Sequence, residues 1–257
     1  MSCSFDMKKL MKILLDIGEA MIDSGAEVIR VEDTVSRIGY AYNIKRMDVF
    51  VITSCINITM ELPDGTTLTQ VRRFRKMTSI DLSKLERINA LSRAVCVNPI
   101  SLDDLEGAVE MITRRKVREI KLLCGYVLGG AAFAMFFGGN LWDAVFAGMV
   151  GVLVWAFNVY LSPIFMNPVV SQFIITFLAG FSVAVATSFI PLLHQDDVTI
   201  GVIMLLVPGV AVTNAIRDIL LGDTLSGILR MIEALLLAAT LAIGMIFSFW
   251  LCTGFMR

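Results

Sequence analysis

The sequence predicts a membrane α-helical bundle of five transmembrane helices preceded by a small cytoplasmic α+β domain. Three observations predict it. Charge is lopsided: of 22 basic and 23 acidic residues, only Arg217, Arg230 and Arg257, and Asp143, Asp196, Asp197, Asp218, Asp223 and Glu233, fall after Lys121. Hydrophobic residues make up 56% of the 257 and mean hydropathy is +0.76, whereas soluble domains average ~45–50% apolar. Finally, one stretch of the charge-rich first part, Val49 to Leu62, alternates apolar and polar residues with the period of a strand.

Residues 1–120 form the first predicted domain. Leu10, Ile13, Leu14, Ile17 and Met21 recur at three and four, so a helix is expected over about Asp6–Ile22. Ser24-Gly25 breaks it, and a second helix over about Glu27–Tyr40 carries Val28, Val31, Val35 and Ile38. Phe50, Ile52, Ile56, Ile58, Met60 and Leu62 are the expected inner face of the strand region, which is long enough for two strands or one bent at Ser54-Cys55. Pro63-Asp64-Gly65 is a turn signal, and Thr66–Phe74 returns as a strand. Arg72, Arg73, Arg75 and Lys76 read as a solvated or headgroup-facing loop. Helices follow over about Leu82–Cys96 and Leu102–Arg118, the second opened by a capping-box pattern at Ser101–Asp104.

Residues 121–257 form the five-span domain, with spans near 122–140, 141–161, 169–191, 198–216 and 234–254. A bilayer core of ~30 Å needs about 20 apolar residues at ~1.5 Å rise. Ser162-Pro163 and Asn167-Pro168 divide the longest uncharged run. The basic run Arg114–Lys121 and the pair Arg217 and Arg230 fall on one side only if the first domain is cytoplasmic, as the positive-inside rule requires. Trp142 and Trp250 then lie at the outer interface. No apolar leader is seen at the N-terminus, where Asp16 and Glu19 interrupt the pattern. The small-residue pairs Gly125/Gly129, Ala144/Gly148 and Ala147/Gly151 are expected packing positions between spans.

The charges of the second half concentrate in Leu205–Glu233. Pro208 interrupts a helix there, and Gly209 follows it. Asn214, Arg217 and Asp218 share one helical face; Gly222 stops that helix and Asp223 caps the next, in which Ser226, Arg230 and Glu233 continue the polar stripe. Ionisable groups near a bilayer usually face a bundle interior or a water path. The plainer reading makes Arg217 and Arg230 anchors of two helix ends and Asp223 a cap.

Other chemistry is poorly supported. The single histidine, His194, lies in an outer loop, which leaves no Ser-His-Asp or Cys-His site in the first domain. Five scattered cysteines give no CxxC pair, so no metal site is indicated, and no phosphate-binding loop motif or other cofactor signature occurs. Near-zero net charge without a basic stripe gives no support to nucleic-acid binding. The chain reads as a transporter rather than an enzyme.

Ser24-Gly25-Ala26-Glu27-Val28-Ile29-Arg30-Val31-Glu32, followed by a strand-rich region, resembles the N-terminal domain of the threonine/serine exporter (ThrE) family. LLVPGVAVTNAIRD at Leu205–Asp218 and GDTLSGILRMIEA at Gly222–Ala234 resemble its membrane motif, and the likeness covers nearly the whole chain. Fused members of that family join a cytoplasmic domain to two five-span halves. Because this chain ends after one half, it is closer to the split YjjP type, which works with a separate small membrane subunit of the YjjB type. The resemblance implies export of threonine and serine, or of succinate, in an oligomeric complex in the cell membrane. These substrates carry carboxylates, which either Arg217 or Arg230 can hold, with Asn214 as a neutral donor and the Pro208-Gly209 break exposing backbone. Asp218, Asp223 and Glu233 are candidates for a coupling proton or for pairing with the arginines. Ser24, Gly25, Glu27, Arg30 and Glu32 are the candidates of the first domain. The alternative is a membrane-anchored cytoplasmic sensing module, with Arg30 and Glu32 as its working residues.

Overall fold

The computed structural model describes residues 2–74, 80–115, 119–165 and 167–255. By compactness the chain forms two units, Met1–Lys116 with Val210–Met231, and Val117–Gly209 with Ile232–Arg257.

In the first unit, helix α1 spans Ser2–Asp23 and α2 spans Val28–Ala41. Their stripes close on each other: Leu10, Ile13, Leu14, Ile17 and Met21 of α1, and Val28, Val31, Val35 and Ile38 of α2, are all fully buried. Strands β1 (Arg46–Ile52), β2 (Cys55–Glu61) and β3 (Thr67–Arg73) form an antiparallel sheet in the order β1-β2-β3. Thus the alternating stretch is two strands, with the turn at Thr53-Ser54, and β1 begins earlier than the alternation suggests. The turn also inverts the expected face of β1. Val51 lies directly opposite Ile56 across the ladder, and opposed residues share a face. Val51 is therefore 1% exposed, whereas Phe50 turns out to solvent at 56%.

Helices α3 (Leu82–Val97) and α4 (Leu102–Arg114) complete this unit's first segment. The Ser101 hydroxyl accepts from the Asp104 N–H at 3.2 Å and donates to the Asp104 carboxylate at 2.7 Å. Leu105 and Val109 of α4 are buried, and Lys9 and Lys12 of α1 pair with Asp103 and Glu106 of α4. Arg72 is not a loop cation: it pairs with Asp16 and Glu19, tying β3 to α1. Arg75, Lys76, Lys116, Arg118 and Arg257 lie outside the described residues.

The second unit contains α5 (Glu119–Phe136), α6 (Leu141–Ala156), α7 (Pro168–Phe189) and α8 (Gln195–Leu206), and most of α10 (Thr224–Phe255). A π-helical turn, Phe157–Leu161, and a 3-10 turn, Ser162–Ile164, extend α6, and Asn167 caps α7 by accepting from the Val169 N–H at 2.9 Å. Among the described residues, four helices are long and apolar enough to cross a membrane, or five if α8 and α9 (Gly209–Leu220), separated by Val207-Pro208, make one broken span. The fourth span is thus two short helices, separated where Pro208 is expected to interrupt it.

Close backbone approach joins α5, α6 and α8. A Cβ at Gly151 would meet the Tyr126 carbonyl oxygen at 2.5 Å, one at Gly130 that of Ala147 at 2.8 Å, and one at Gly201 that of Gly130 at 2.8 Å. Gly125, expected at a packing position, faces open space instead. Ala134, Ala147, Val150, Val154, Ile175, Ala179, Val183, Val198 and Val202 fill the core between these helices and α7.

Candidate functional site

All but one of the charged candidates of the Leu205–Glu233 stretch fall in the first unit, and there they meet the Ser24–Glu32 motif. The motif begins where α1 ends. The Ser24 hydroxyl donates to the Ala20 carbonyl at 2.6 Å, and the Ala26 N–H reaches back to the Met21 carbonyl at 3.0 Å. Gly25 takes a φ of +87°, a left-handed conformation that glycine adopts without cost. Glu27 is the N-cap residue of α2, although its side chain makes no capping bond. It is free to turn elsewhere.

On the other side are α9 and the start of α10. Gly222 has a φ of +102°. The Gly222 N–H bonds to the Ile219 carbonyl at 3.2 Å and the Asp223 N–H to the Asp218 carbonyl at 2.9 Å, the paired bonds of a Schellman ending. The expected helix stop is therefore present. Gly227 lets the two helices close, since a Cβ there would meet the Ala215 carbonyl oxygen at 2.8 Å.

Side chains of the hairpin reach across to the motif. Asn214 donates from Nδ2 to the Gly25 carbonyl at 3.0 Å. Arg230 donates from Nη2 to the Ala26 carbonyl at 2.8 Å. Arg217 Nη1 lies 2.7 Å from Glu27 Oε1. Another pair is internal to the hairpin: Arg230 Nη1 is 3.3 Å from Asp218 Oδ2, close enough for Coulomb attraction but not aligned as a hydrogen bond.

The two arginines differ in setting. The Arg230 side chain is 2% exposed and its Asp218 partner 1%, while the Arg217 side chain is 53% exposed. Buried Arg230 serves the packing of the loop on the hairpin. Half-exposed Arg217 keeps donors within reach of solution.

Glu32 points toward β1, accepting from the Val51 N–H at 2.9 Å. Its pKa is raised, first by burial and further by the negative charge of Asp223, although the Val51 bond opposes the shift. Arg30 is exposed, 3.7 Å from the second Glu27 oxygen. Asp223 has one buried carboxylate oxygen without a hydrogen bond. Glu233 is exposed, and no ion pair is seen for it among the described residues. The Gly209 N–H turns back to the Val207 carbonyl at 2.8 Å across Pro208.

A second polar cluster lies within the second unit. Asp143, fully buried in the first turn of α6, accepts from the His194 N–H at 2.7 Å, from His194 Nδ1 at 3.0 Å and from the Asn140 N–H at 2.8 Å. Among the described residues, Asp143, His194 and Asp197 lie closely enough to hold a metal ion, but both Asp143 oxygens already accept protein hydrogen bonds. The Asp143 bond and charge raise the His194 pKa. A raised histidine value means that its stabilisation is fully present below the ordinary value of about 6.5 and is lost as pH climbs through the value in the folded chain. Unfolding midpoints should therefore fall with rising pH in the wild type and change less in His194→Gln. Equal slopes would show that the imidazole charge contributes nothing.

Nothing in the sequence joins the Gly25 region to the hairpin, and Ala26 contributes a carbonyl oxygen, which no side-chain pattern announces. The Asp143–His194 bond has as its only sequence signal an acid in the first turn of a span.

The sequence profile of a family described as "Putative threonine/serine exporter" (ThrE) matches residues 12–251. The chain is 24% identical over 253 residues to a protein of Mycobacterium tuberculosis (strain ATCC 25618 / H37Rv) named "Probable threonine/serine exporter". That alignment covers 94% of this chain and 46% of the relative, so the chain spans about half the relative's length. No solved structure matches the chain.

Proposed function

The chain belongs to the threonine/serine exporter family, and on that premise we propose that it exports a small metabolite bearing a carboxylate, which Arg217 holds. Threonine and serine are the first candidates and succinate is the other. The observation that carries this reading is that Arg217, half-exposed, already holds a carboxylate, that of Glu27, at 2.7 Å. A guanidinium has five donors, enough for a planar two-point match to such a group. Arg230 is committed to Ala26 and Asp218, so of the two arginines Arg217 is the substrate ligand. Asn214, one turn earlier, is the neutral donor beside it.

Export is driven by an ion gradient, with Glu32, whose pKa burial raises, as the group that exchanges a coupling proton. The first domain and the Gly222 turn are cytoplasmic. A maleimide that cannot cross membranes should label Leu221→Cys only after cells are opened, and labelling in intact cells would reverse this topology. A polar stripe facing lipid is costly, so a separate small membrane subunit of the YjjB type closes the path, within an oligomer.

Efflux from vesicles loaded with radiolabelled threonine, serine or succinate tests the whole reading, with and without the second subunit. Loss of at least one label from the vesicles is expected. Retention of all three, with both subunits present and inserted, refutes it.

A further inference from the structure

We propose that Glu27 is a built-in competitor for the carboxylate site at Arg217, and that a transported carboxylate displaces it and frees the Gly25–Glu27 loop from the α9 face. This rests on the reading of Arg217 as the substrate ligand. Glu27 presents to Arg217 the same group that a substrate would present, at 2.7 Å. One chemical group on one donor set means that the two exclude each other when they use the same donors.

The exchange is cheap because Glu27 has somewhere to go. Its side chain is 13% exposed, so leaving it unpaired would strand a mostly buried charge. Its other oxygen, however, lies 3.7 Å from Arg30 Nε, and Arg30 is exposed and able to follow it. Glu27 therefore moves between two cations, Arg217 and Arg30, without passing through an unpaired state. Arg217 is reachable from solution, as the incoming ligand needs.

The contacts beside it divide into those that yield and those that hold. Asn214 binds the Gly25 carbonyl with a neutral amide in a partly buried setting. That bond goes with Glu27. Arg230 holds the Ala26 carbonyl from a fully buried position and stays. Release is thus a local peeling of the loop, with Ala26 as the anchored point.

The intramolecular pair lowers the apparent affinity for a ligand by the fraction of molecules in which Arg217 is already taken. For a half-exposed pair that factor is about two- to fivefold. Glu27→Gln, which keeps the size and removes the charge, should bind the probe about two- to fivefold more tightly. Arg30→Gln removes the alternative partner and should weaken binding, the opposite sign. A purely structural role for Glu27 and Arg30 would not give opposite signs.

Two measurements on the full chain with its partner subunit test this: equilibrium binding of L-threonine, with succinate as a second probe, and hydrogen–deuterium exchange of backbone amides 24–30. The expected result is faster exchange in wild type on adding the probe that binds, and in Glu27→Gln without any ligand. Glu27→Asp, which keeps the charge and shortens the reach, should fall between. Unchanged exchange and affinity in Glu27→Gln would overturn the inference and leave Arg217 standing as a transport residue. A wild type that neither binds nor exports either probe would overturn both.

Discussion

Arg217→Lys should remove most export while the protein still inserts at wild-type abundance. Lysine keeps a cation on a long stem but loses the planar fork. Hydrogen bonds to charged groups are worth ~1.5–3 kcal/mol each, which is about one to two orders of magnitude in the transport rate if one is lost. Stability should hardly move, because the Arg217–Glu27 pair is half-exposed on the arginine side and such pairs contribute at most ~1 kcal/mol. The same exchange at Arg115, an exposed residue just past the end of α4, is the control and should be silent. Initial efflux rates at matched abundance measure the difference. Equal, mild effects at the two positions would reduce Arg217 to an anchor and send the search for the substrate site to the Pro208-Gly209 break.

Arg230→Gln should act on the fold instead. Arg230 and Asp218 are both almost fully buried, and removing one member of such a pair leaves the other charge without compensation, at a cost of ~3–5 kcal/mol. Adding Asp218→Asn should return part of that loss, so the double variant is more stable than the sum of the single effects implies. Unfolding midpoints of the four proteins in detergent complete the cycle. Additive losses, or a change below about 1 kcal/mol in Arg230→Gln, would mean that the pair is not coupled as its geometry indicates.

Regular repetition is what made parts of this fold legible. The apolar stripes of α1 and α2 recur at three and four, and every residue named from them is buried. The Gly222 stop was equally readable, because a helix ending followed by an acid has a local chemical signature. By contrast, the phase of β1 was not readable. A break near Ser54 is visible, but Val49-Phe50-Val51-Ile52 is a continuous apolar run, so the pattern does not say that the turn at Thr53-Ser54 puts Val51 rather than Phe50 inside. Small-residue spacing named Gly151 correctly and Gly125 wrongly, since the spacing does not say which side of a helix has a neighbour. The convergence of residues 24–32 with 214–230 was beyond reach for a different reason. No periodicity links stretches nearly two hundred positions apart.

Asn214 and Arg230 grip the loop by its peptide oxygens, which hides that grip from substitutions within the loop itself. Replacing Ala26 leaves its carbonyl in place, and replacing Gly25 reports only the strain of a left-handed backbone. A side-chain scan across this segment reports the packing of buried Ala26 and not its bond to Arg230. Its acceptor yields only to an alteration of the main chain itself, such as an ester in place of the amide that follows, whose oxygen is a poorer acceptor.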